Sequence, residues 1–253
     1  MFALILKDLR SFTNTRKYLL FQFIVIAVIV FLFMVATIEF YAQAIDTNQS
    51  RIPQDVGKQT YTVIVICIFI SLFHIPKHAV ELVYLEGAKL VNKEHGRYIN
   101  IEILMLSPLA NWKIVCGKIA AIVIWTIFGI CLTIPIFALS MYIGGLTIIQ
   151  LVKCGTVFTI CSVFFAIIGI AHASLHPPNR AIGISYGVIL SVTFLPLLPI
   201  SPFAAIPLFE MLSPISALLS ILQSPTSQSW IWNNILLGGL SLFIFPILIR
   251  NYR

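Results

Sequence analysis

The side chains that could support covalent chemistry include a serine set between two glycines. Residues 183–187 read GISYG, which matches the G-x-S-x-G of serine hydrolases, where the serine is a nucleophile on a turn between a strand and a helix. Here the motif lies inside a long apolar stretch of helical character. Gly183 and Gly187 also have the spacing that lets membrane helices pack closely. We therefore predict helix packing at this motif and no catalytic role for Ser185.

Two pairs of histidines have a spacing that could support metal binding. His74 and His78 are four residues apart, as are His172 and His176, and this spacing puts both rings of a pair on one helical face. A proline interrupts the first pair and two prolines follow the second. Spacing fixes no further ligand, although Glu81 follows His78 by three residues. We predict ordinary interfacial histidines and no metal site.

The cysteines and glycines do not form a pattern for other cofactors. The five cysteines are odd in number and contain no C-x-x-C pair, which argues against a disulfide framework or a zinc site. No G-x-x-x-x-G-K-[ST] is present, and Gly117-Lys118 lacks the glycine-rich loop that cradles phosphates. We predict that the chain is not an enzyme and holds no cofactor.

The composition predicts an integral membrane protein. The 253 residues are 59% hydrophobic and 10% charged, whereas a soluble domain carries roughly 25% charged residues. The net charge of +7 comes from basic residues near the ends of apolar runs, which indicates orientation in a membrane and no binding of nucleic acid. With no linker and no internal repeat, we expect one membrane domain over residues 1–253 in a lipid bilayer.

Six apolar runs are long enough for helices that cross a bilayer, which needs about 20 residues. Such segments must be helical because lipid offers the backbone no hydrogen-bond partner. The second run is short and meets Pro76, so it starts earlier or continues as a bent helix, and Pro135 predicts a kink in the third. The predicted spans are Tyr18–Ile38, Tyr61–Ile75, Ile114–Tyr142, Leu146–His172, Ala181–Ile200 and Ile231–Ile249.

The distribution of basic residues predicts the orientation. With six spans, all of the 16 Lys and Arg residues except Arg51, Lys58 and Lys153 fall on one side. Short cytoplasmic loops are enriched in Lys and Arg. We therefore expect both termini in the cytoplasm, in an all-α fold of six transmembrane helices.

Two further segments have the character of the membrane interface. In residues 1–17, Phe2, Ile5, Leu6, Leu9 and Phe12 share one helical face, and Lys7, Asp8, Arg10 and Ser11 lie off it. This pattern predicts an amphipathic helix in the cytoplasmic headgroup layer. Residues 201–230 contain four prolines, one carboxylate (Glu210) and no Lys or Arg. They predict an outer re-entrant hairpin, with a proline-rich cap on the outer surface as the alternative.

Two carboxylates are candidates for the transport path or its gate. Glu39 lies at the outer end of the first span and Glu210 stands alone in the outer hairpin. Ionisable groups near membrane depth often line such paths. Snorkelling of the side chain to the interface explains Glu39, and likewise Lys153, equally well.

Residues 77–113 form the longest polar region on the cytoplasmic side. Ser107 is a candidate N-cap with Pro108 as the first helical residue, so the third span would begin with an elbow there. Trp112 and Lys113 would lie at headgroup level. A short cytoplasmic helix between two spans can serve as a lever for a partner protein, and an ordinary interfacial loop is the alternative.

The stretch NIEILMLSPLANWKIVCGK resembles the permease subunits of ATP-binding-cassette transporters of the ABC-2 type. The family pattern is similar to E-x-G-T-x-E-x-L-L-x-x-P-L-x-x-x-x-I-x-x-G-K. Asn100 stands where the family has threonine. The order of six spans, inner amphipathic helix and outer hairpin extends the resemblance to the whole chain. The matching residues are Glu94, Gly96, Glu102, Leu104, Pro108, Leu109, Ile114, Gly117 and Lys118.

The resemblance implies an exporting permease that works with other subunits in the inner (cytoplasmic) membrane. A separate cytoplasmic ATPase would bind ATP and Mg, and a second permease copy, identical or different, would complete the pathway. A membrane-embedded enzyme using Ser185 or histidines, and an ATP-independent carrier or assembly factor, are the alternatives. The implied ATPase-coupling residues are Glu94, Gly96, Arg97, Asn100, Glu102, Leu104, Pro108 and Leu109.

Overall fold

The computed structural model describes residues 2–14, 16–47, 52–84, 110–142, 147–197, 211–224 and 226–251. Within these ranges the chain is almost entirely helical and contains no strand. A 3₁₀ turn, Leu195–Leu197, follows α7. The α-helices are α1 (Phe2–Asn14), α2 (Arg16–Thr47), α3 (Ile52–Leu72), α4 (Ile75–Tyr84), α5 (Asn111–Tyr142), α6 (Ile148–Leu175), α7 (Pro178–Phe194), α8 (Pro214–Gln223) and α9 (Ser229–Asn251).

Six helical segments are long and apolar enough to cross a membrane, as the hydrophobic pattern predicts. Each has at least 20 residues, the length that a bilayer core requires. The segments are Leu19–Glu39, Tyr61–Tyr84, Asn111–Tyr142, Ile148–Leu175, Pro178–Leu197 and Ser229–Arg250.

The second span is a broken helix, which confirms the bend expected at Pro76. Helix α3 ends at Leu72, a turn covers Phe73 and His74, and α4 begins at Ile75. Proline has no N–H and its ring crowds the carbonyl four residues earlier, so it kinks or breaks a helix, and at Pro76 the helix breaks. The backbone N–H groups of Phe73 and His74 donate instead to carbonyls three residues back, at 3.1 and 3.3 Å.

The third span begins later than the proposed elbow. Ala110 is not helical, and α5 starts at Asn111. The predicted cap Ser107 and first helical residue Pro108 lie outside the described residues. The N–H of Lys113 donates to the Ala110 carbonyl at 2.8 Å, which closes the first turn without a serine cap. The helix continues through Pro135.

The fourth and fifth spans begin and end at other residues than predicted, because capping residues and prolines set their ends. Thr147 and Gln150 form a capping box at the start of α6, an arrangement that satisfies otherwise unpaired N–H groups. Helix α6 extends past His172 to Leu175, and α7 already begins at Pro178. Proline is favoured in the first helical turn, so the two prolines after His176 separate the helices with a very short turn.

Helix α6 lies at the centre of the bundle. It packs against α3, α4, α5, α7, α8 and α9. Of its most apolar 18-residue stretch, 67% is buried inside the protein, compared with 6% of the corresponding stretch of α2. The closest approach is at Gly169. A Cβ atom there would lie 2.7 Å from the Ala79 Cβ and 2.8 Å from the Pro76 carbonyl oxygen. The absence of a side chain at Gly169 therefore lets α4 rest directly on α6.

Two short helices mark opposite ends of the bundle. Helix α1 packs beside the start of α5, and we call this side the α1 end. Helix α8 packs against α3, α6 and α9 at the α8 end, where Gln150 donates to the Ile221 carbonyl at 2.9 Å. With 10 residues, α8 is about 15 Å long and too short to span. It is the described part of the predicted re-entrant segment, since residues 201–210 lie outside the described ranges.

The packed face of α1 differs from the predicted apolar face. Leu4, Asp8 and Phe12 are buried, whereas Phe2 is 73% and Leu6 45% exposed. The face of α1 that contacts the protein therefore includes Asp8. Phe2 and Leu6, on the predicted apolar face, stay exposed, and contact of that face with the headgroup layer stays a prediction.

Candidate functional site

All of the residues implied in ATPase coupling lie outside the described part of the chain. Residues 85–109 contain all eight of them, and Glu210 also falls outside the described ranges. Their roles stay predictions. The described chain does include the two ends of this connector, which are the last turn of α4 and the first turns of α5.

A buried lysine fastens these two ends together. Lys118 has no exposed surface, and its Nζ donates a hydrogen bond to the Leu82 carbonyl at 2.9 Å. Leu82 lies in the last turn of α4, where carbonyls lack a donor from the helix itself and a positive charge is favourable. Lys118 lies inside α5, four residues after Ile114, where the third span was predicted to begin.

The neighbouring glycine, Gly117, lets α1 pack closely against the start of α5. A Cβ atom at Gly117 would lie 2.7 Å from Cδ2 of Leu4. Two turns further along α1, Phe12 stacks on Trp125 with ring centroids 5.6 Å apart. Helix α1 therefore follows the first turns of α5. We call Gly117, Lys118, Leu4 and Leu82 the α1–α4–α5 joint.

The end of α4 is also attached to the end of α6. The Tyr84 hydroxyl lies within hydrogen-bond distance of two carbonyls, those of Ala173, at 2.6 Å, and His176. Tyr84 is the last described residue before the connector. Both sides of the helix end from which the connector departs are thus held by side-chain hydrogen bonds.

The structure brings Ser185 and His172 together, a pairing that the sequence analysis missed. Nδ1 of His172 lies 3.0 Å from Oγ of Ser185. The two residues flank the short turn between α6 and α7. The Pro177-Pro178 pair indicates such a helical hairpin, and this signal could have predicted that His172 and Ser185 lie close together.

The geometry of this pair favours a cross-link between helices over a nucleophile. The Ser185 hydroxyl donates its one proton to the Ala181 carbonyl at 2.7 Å, so that proton is engaged by the backbone of its own helix. A general base would have to accept that proton. Ser185 is fully buried in the middle of α7, whereas the hydrolase motif requires a strand–turn–helix elbow.

The first histidine pair is engaged in aromatic packing. His74 stacks on Phe21 with centroids 3.7 Å apart, and His78 meets the edge of Phe12 at 6.0 Å. Nδ1 of His78 lies 3.6 Å from a carboxylate oxygen of Glu81. Within the described residues, no group of three or more His, Cys, Asp or Glu is arranged to hold a metal ion.

The residues predicted at the other side of the membrane are not assembled into a site by the described contacts. Glu39 is exposed at the end of the first span. Nζ of Lys153 lies over the Trp230 ring, 5.6 Å from its centroid, a cation–π geometry. Among the described residues, the side-chain hydrogen bonds that adjoin a predicted site are those of the α1–α4–α5 joint and of Tyr84, at the ends of the connector.

No protein-family model matches this chain, and no curated protein matches it.

Proposed function

We propose that this chain is the permease subunit of an ATP-binding-cassette transporter of the ABC-2 type. It forms half of an export pathway and couples that pathway to ATP hydrolysis in a separate cytoplasmic subunit. The observation that carries the proposal is the α1–α4–α5 joint. Gly117 and Lys118 belong to the family-like motif, and their contacts attach both ends of the connector to one compact unit.

The charge distribution supports a cytoplasmic location for the connector. Lys7, Arg10, Lys113 and Arg180 belong to the helix segments at the α1 end. Lys153 lies toward the α8 end. An excess of basic residues favours the cytoplasmic side. The connector leaves α4 and enters α5 at the α1 end, where a soluble ATPase could reach it.

The mechanism uses the connector as a lever. Closure of an ATP-bound dimer of ATPase subunits presses on the connector from about Glu94 to Leu109, and the joint transmits this movement to α4, α5 and α1 together. The first, second and fifth spans then tilt and open a path between two permease copies. Such coupling requires that the two states of the ATPase contact the connector differently.

Purification of the tagged chain from its native membrane tests this proposal. We expect an ATPase subunit with a Walker motif to co-purify in stoichiometric amount, identified by mass spectrometry, and the complex to hydrolyse ATP. Replacing residues 100–109 by a Gly-Ser segment of equal length should abolish association. Replacing residues 224–228 in the same way, at the α8 end, is the control and should not.

Either of two results would overturn the proposal. One is transport by the purified chain alone in liposomes without nucleotide, which would favour an ATP-independent carrier. The other is ATPase association that survives the replacement of residues 100–109.

A further inference from the structure

A cavity of about 60 Å³ lies inside the bundle, between α2, the α3–α4 break and α5. Its walls include apolar side chains such as Phe21, Ile68 and Trp125, but also several polar groups. The polar groups are those of Gln22, Ser71, His74, His78, Thr126 and Thr133. Gly129, eleven residues along α5 from Lys118, lies about 16 Å further into the bundle along the helix axis. The cavity is therefore at membrane depth and separate from the α1–α4–α5 joint.

One polar atom in the cavity lacks a partner. The Oε1 atom of Gln22 is buried, and none of the described residues donates a hydrogen bond to it. A buried acceptor without a donor costs about 1–3 kcal/mol. The amide occupies space that Gly129 leaves open, since a Cβ atom there would lie 2.8 Å from Nε2 of Gln22. The glutamine is thus held in the cavity by the shape of α5.

The break in the second span exposes backbone to the same cavity. Pro76 cannot donate to the Leu72 carbonyl. The hydrogen bonds across the break go to the carbonyls of Ile70 and Ser71. Leu72 itself lines the cavity. A carbonyl freed in a membrane helix is usually satisfied by neighbouring side chains or ordered water.

The polar walls offer hydrogen-bond acceptors, and the Gln22 amide and the rings of His74 and His78 add N–H donors. The hydroxyls of Ser71, Thr126 and Thr133 donate to carbonyls of their own helices at 2.6, 3.0 and 2.7 Å, which leaves their lone pairs as acceptors. Gln22 Oε1 is also an acceptor. No carboxylate is among the described residues that line the cavity, so this lining lacks an anionic group that would favour a metal cation.

We propose that this cavity is a binding site for a cluster of ordered water, which both donates and accepts hydrogen bonds. A water needs about 10–15 Å³ of such space, so the volume accommodates a few molecules. They bridge Gln22, the hydroxyls and the free end of α3, and they solvate the break at which α4 changes direction. The inference does not depend on the proposed function.

X-ray hydroxyl-radical footprinting read by mass spectrometry tests the site, because radicals form from water next to the side chains they modify. Trp125 lines the cavity and is only 8% exposed. In the full chain in lipid nanodiscs, we expect Trp125 to be modified readily. In Gly129→Leu the label should fall at least about threefold, because the leucine occupies the space for water.

Two further variants make the outcome decisive. Gly239→Leu places the same side chain on α9, where nothing approaches within 4 Å, and should leave Trp125 labelling unchanged. Gln22→Leu removes the acceptor with little change in volume, should also lower the labelling, and serves if Gly129→Leu does not fold. Labelling of Trp125 that is absent in the native chain, or equal in the native chain and the folded cavity variants, would overturn the inference.

Discussion

At the scale of single residues, Lys118 shows how a buried charge can connect three helices. Its ammonium group reaches the last turn of α4, and the adjacent glycine receives Leu4 of α1. The motif G-K was visible in the sequence. Its burial was not, because a lysine near the start of a span has the same local pattern whether it faces headgroups or a neighbouring helix end.

Replacing Lys118 by methionine should destabilise the protein by about 1–3 kcal/mol, because the Leu82 carbonyl loses its donor in a buried place. The measurement is unfolding in mixed detergent micelles followed by circular dichroism. Lys113→Met is the matched control. Lys113 is exposed, with Nζ over the Trp112 ring, and its loss should change stability by less than about 0.5 kcal/mol. Equal effects of the two variants would contradict the buried role of Lys118.

A second prediction concerns Ser185. Because its proton is donated to the Ala181 carbonyl and the side chain is fully buried, a fluorophosphonate probe should not label the native protein. Ser185→Ala should cost about 0.5–1.5 kcal/mol through the lost bond to His172 and should leave transport intact. Covalent labelling at Ser185 in the folded chain would instead support the hydrolase alternative.

At the scale of elements, the number and approximate positions of the spans follow from hydrophobic runs, and their ends do not. The break after Leu72 was predictable because proline cannot continue a helix. The start of α5 at Asn111 was not predicted. The cap-like sequence Ser107-Pro108 suggested a helix start three residues earlier. The buried face of α1 was also missed, since tertiary contact chooses among the faces that periodicity offers.

The close contact between α4 and α6 gives a prediction at this scale. Gly169→Ala would place a methyl group 2.7 Å from the Ala79 Cβ and against the Pro76 backbone. Overpacking of this kind typically costs about 1–3 kcal/mol, so the thermal stability of the chain in nanodiscs should fall.

Gly155→Ala on the same helix provides the control. Nothing approaches within 4 Å of that position, and replacing a helical glycine by alanine favours the helix by about 1 kcal/mol. Stability should therefore stay unchanged or rise. A stabilising effect of Gly169→Ala would show that α4 does not rest on α6 as described.

At the scale of the whole molecule, the bundle has two dissimilar ends around the central helix α6. The α1 end gathers basic residues and the joint from which the connector leaves, whereas the α8 end carries a short helix and the Lys153–Trp230 contact. Composition predicted a membrane protein, because so apolar a chain requires lipid around it, and the lengths of the apolar runs predicted six spans. Burial of Lys118 and the pairing of His172 with Ser185 depend on how antiparallel helices align, which composition does not encode.

The central claim is that a cytoplasmic ATPase contacts the connector. Site-specific photo-crosslinking tests it most directly, with benzoylphenylalanine placed at Leu104 in native membranes and, as the control, at Ser224 at the α8 end. We predict an ultraviolet-dependent crosslink from Leu104 to a Walker-motif ATPase and none from Ser224. The yield of the Leu104 crosslink should change when ATP is trapped. Crosslinks from Leu104 to lipid alone, in a chain that still transports, would contradict the account.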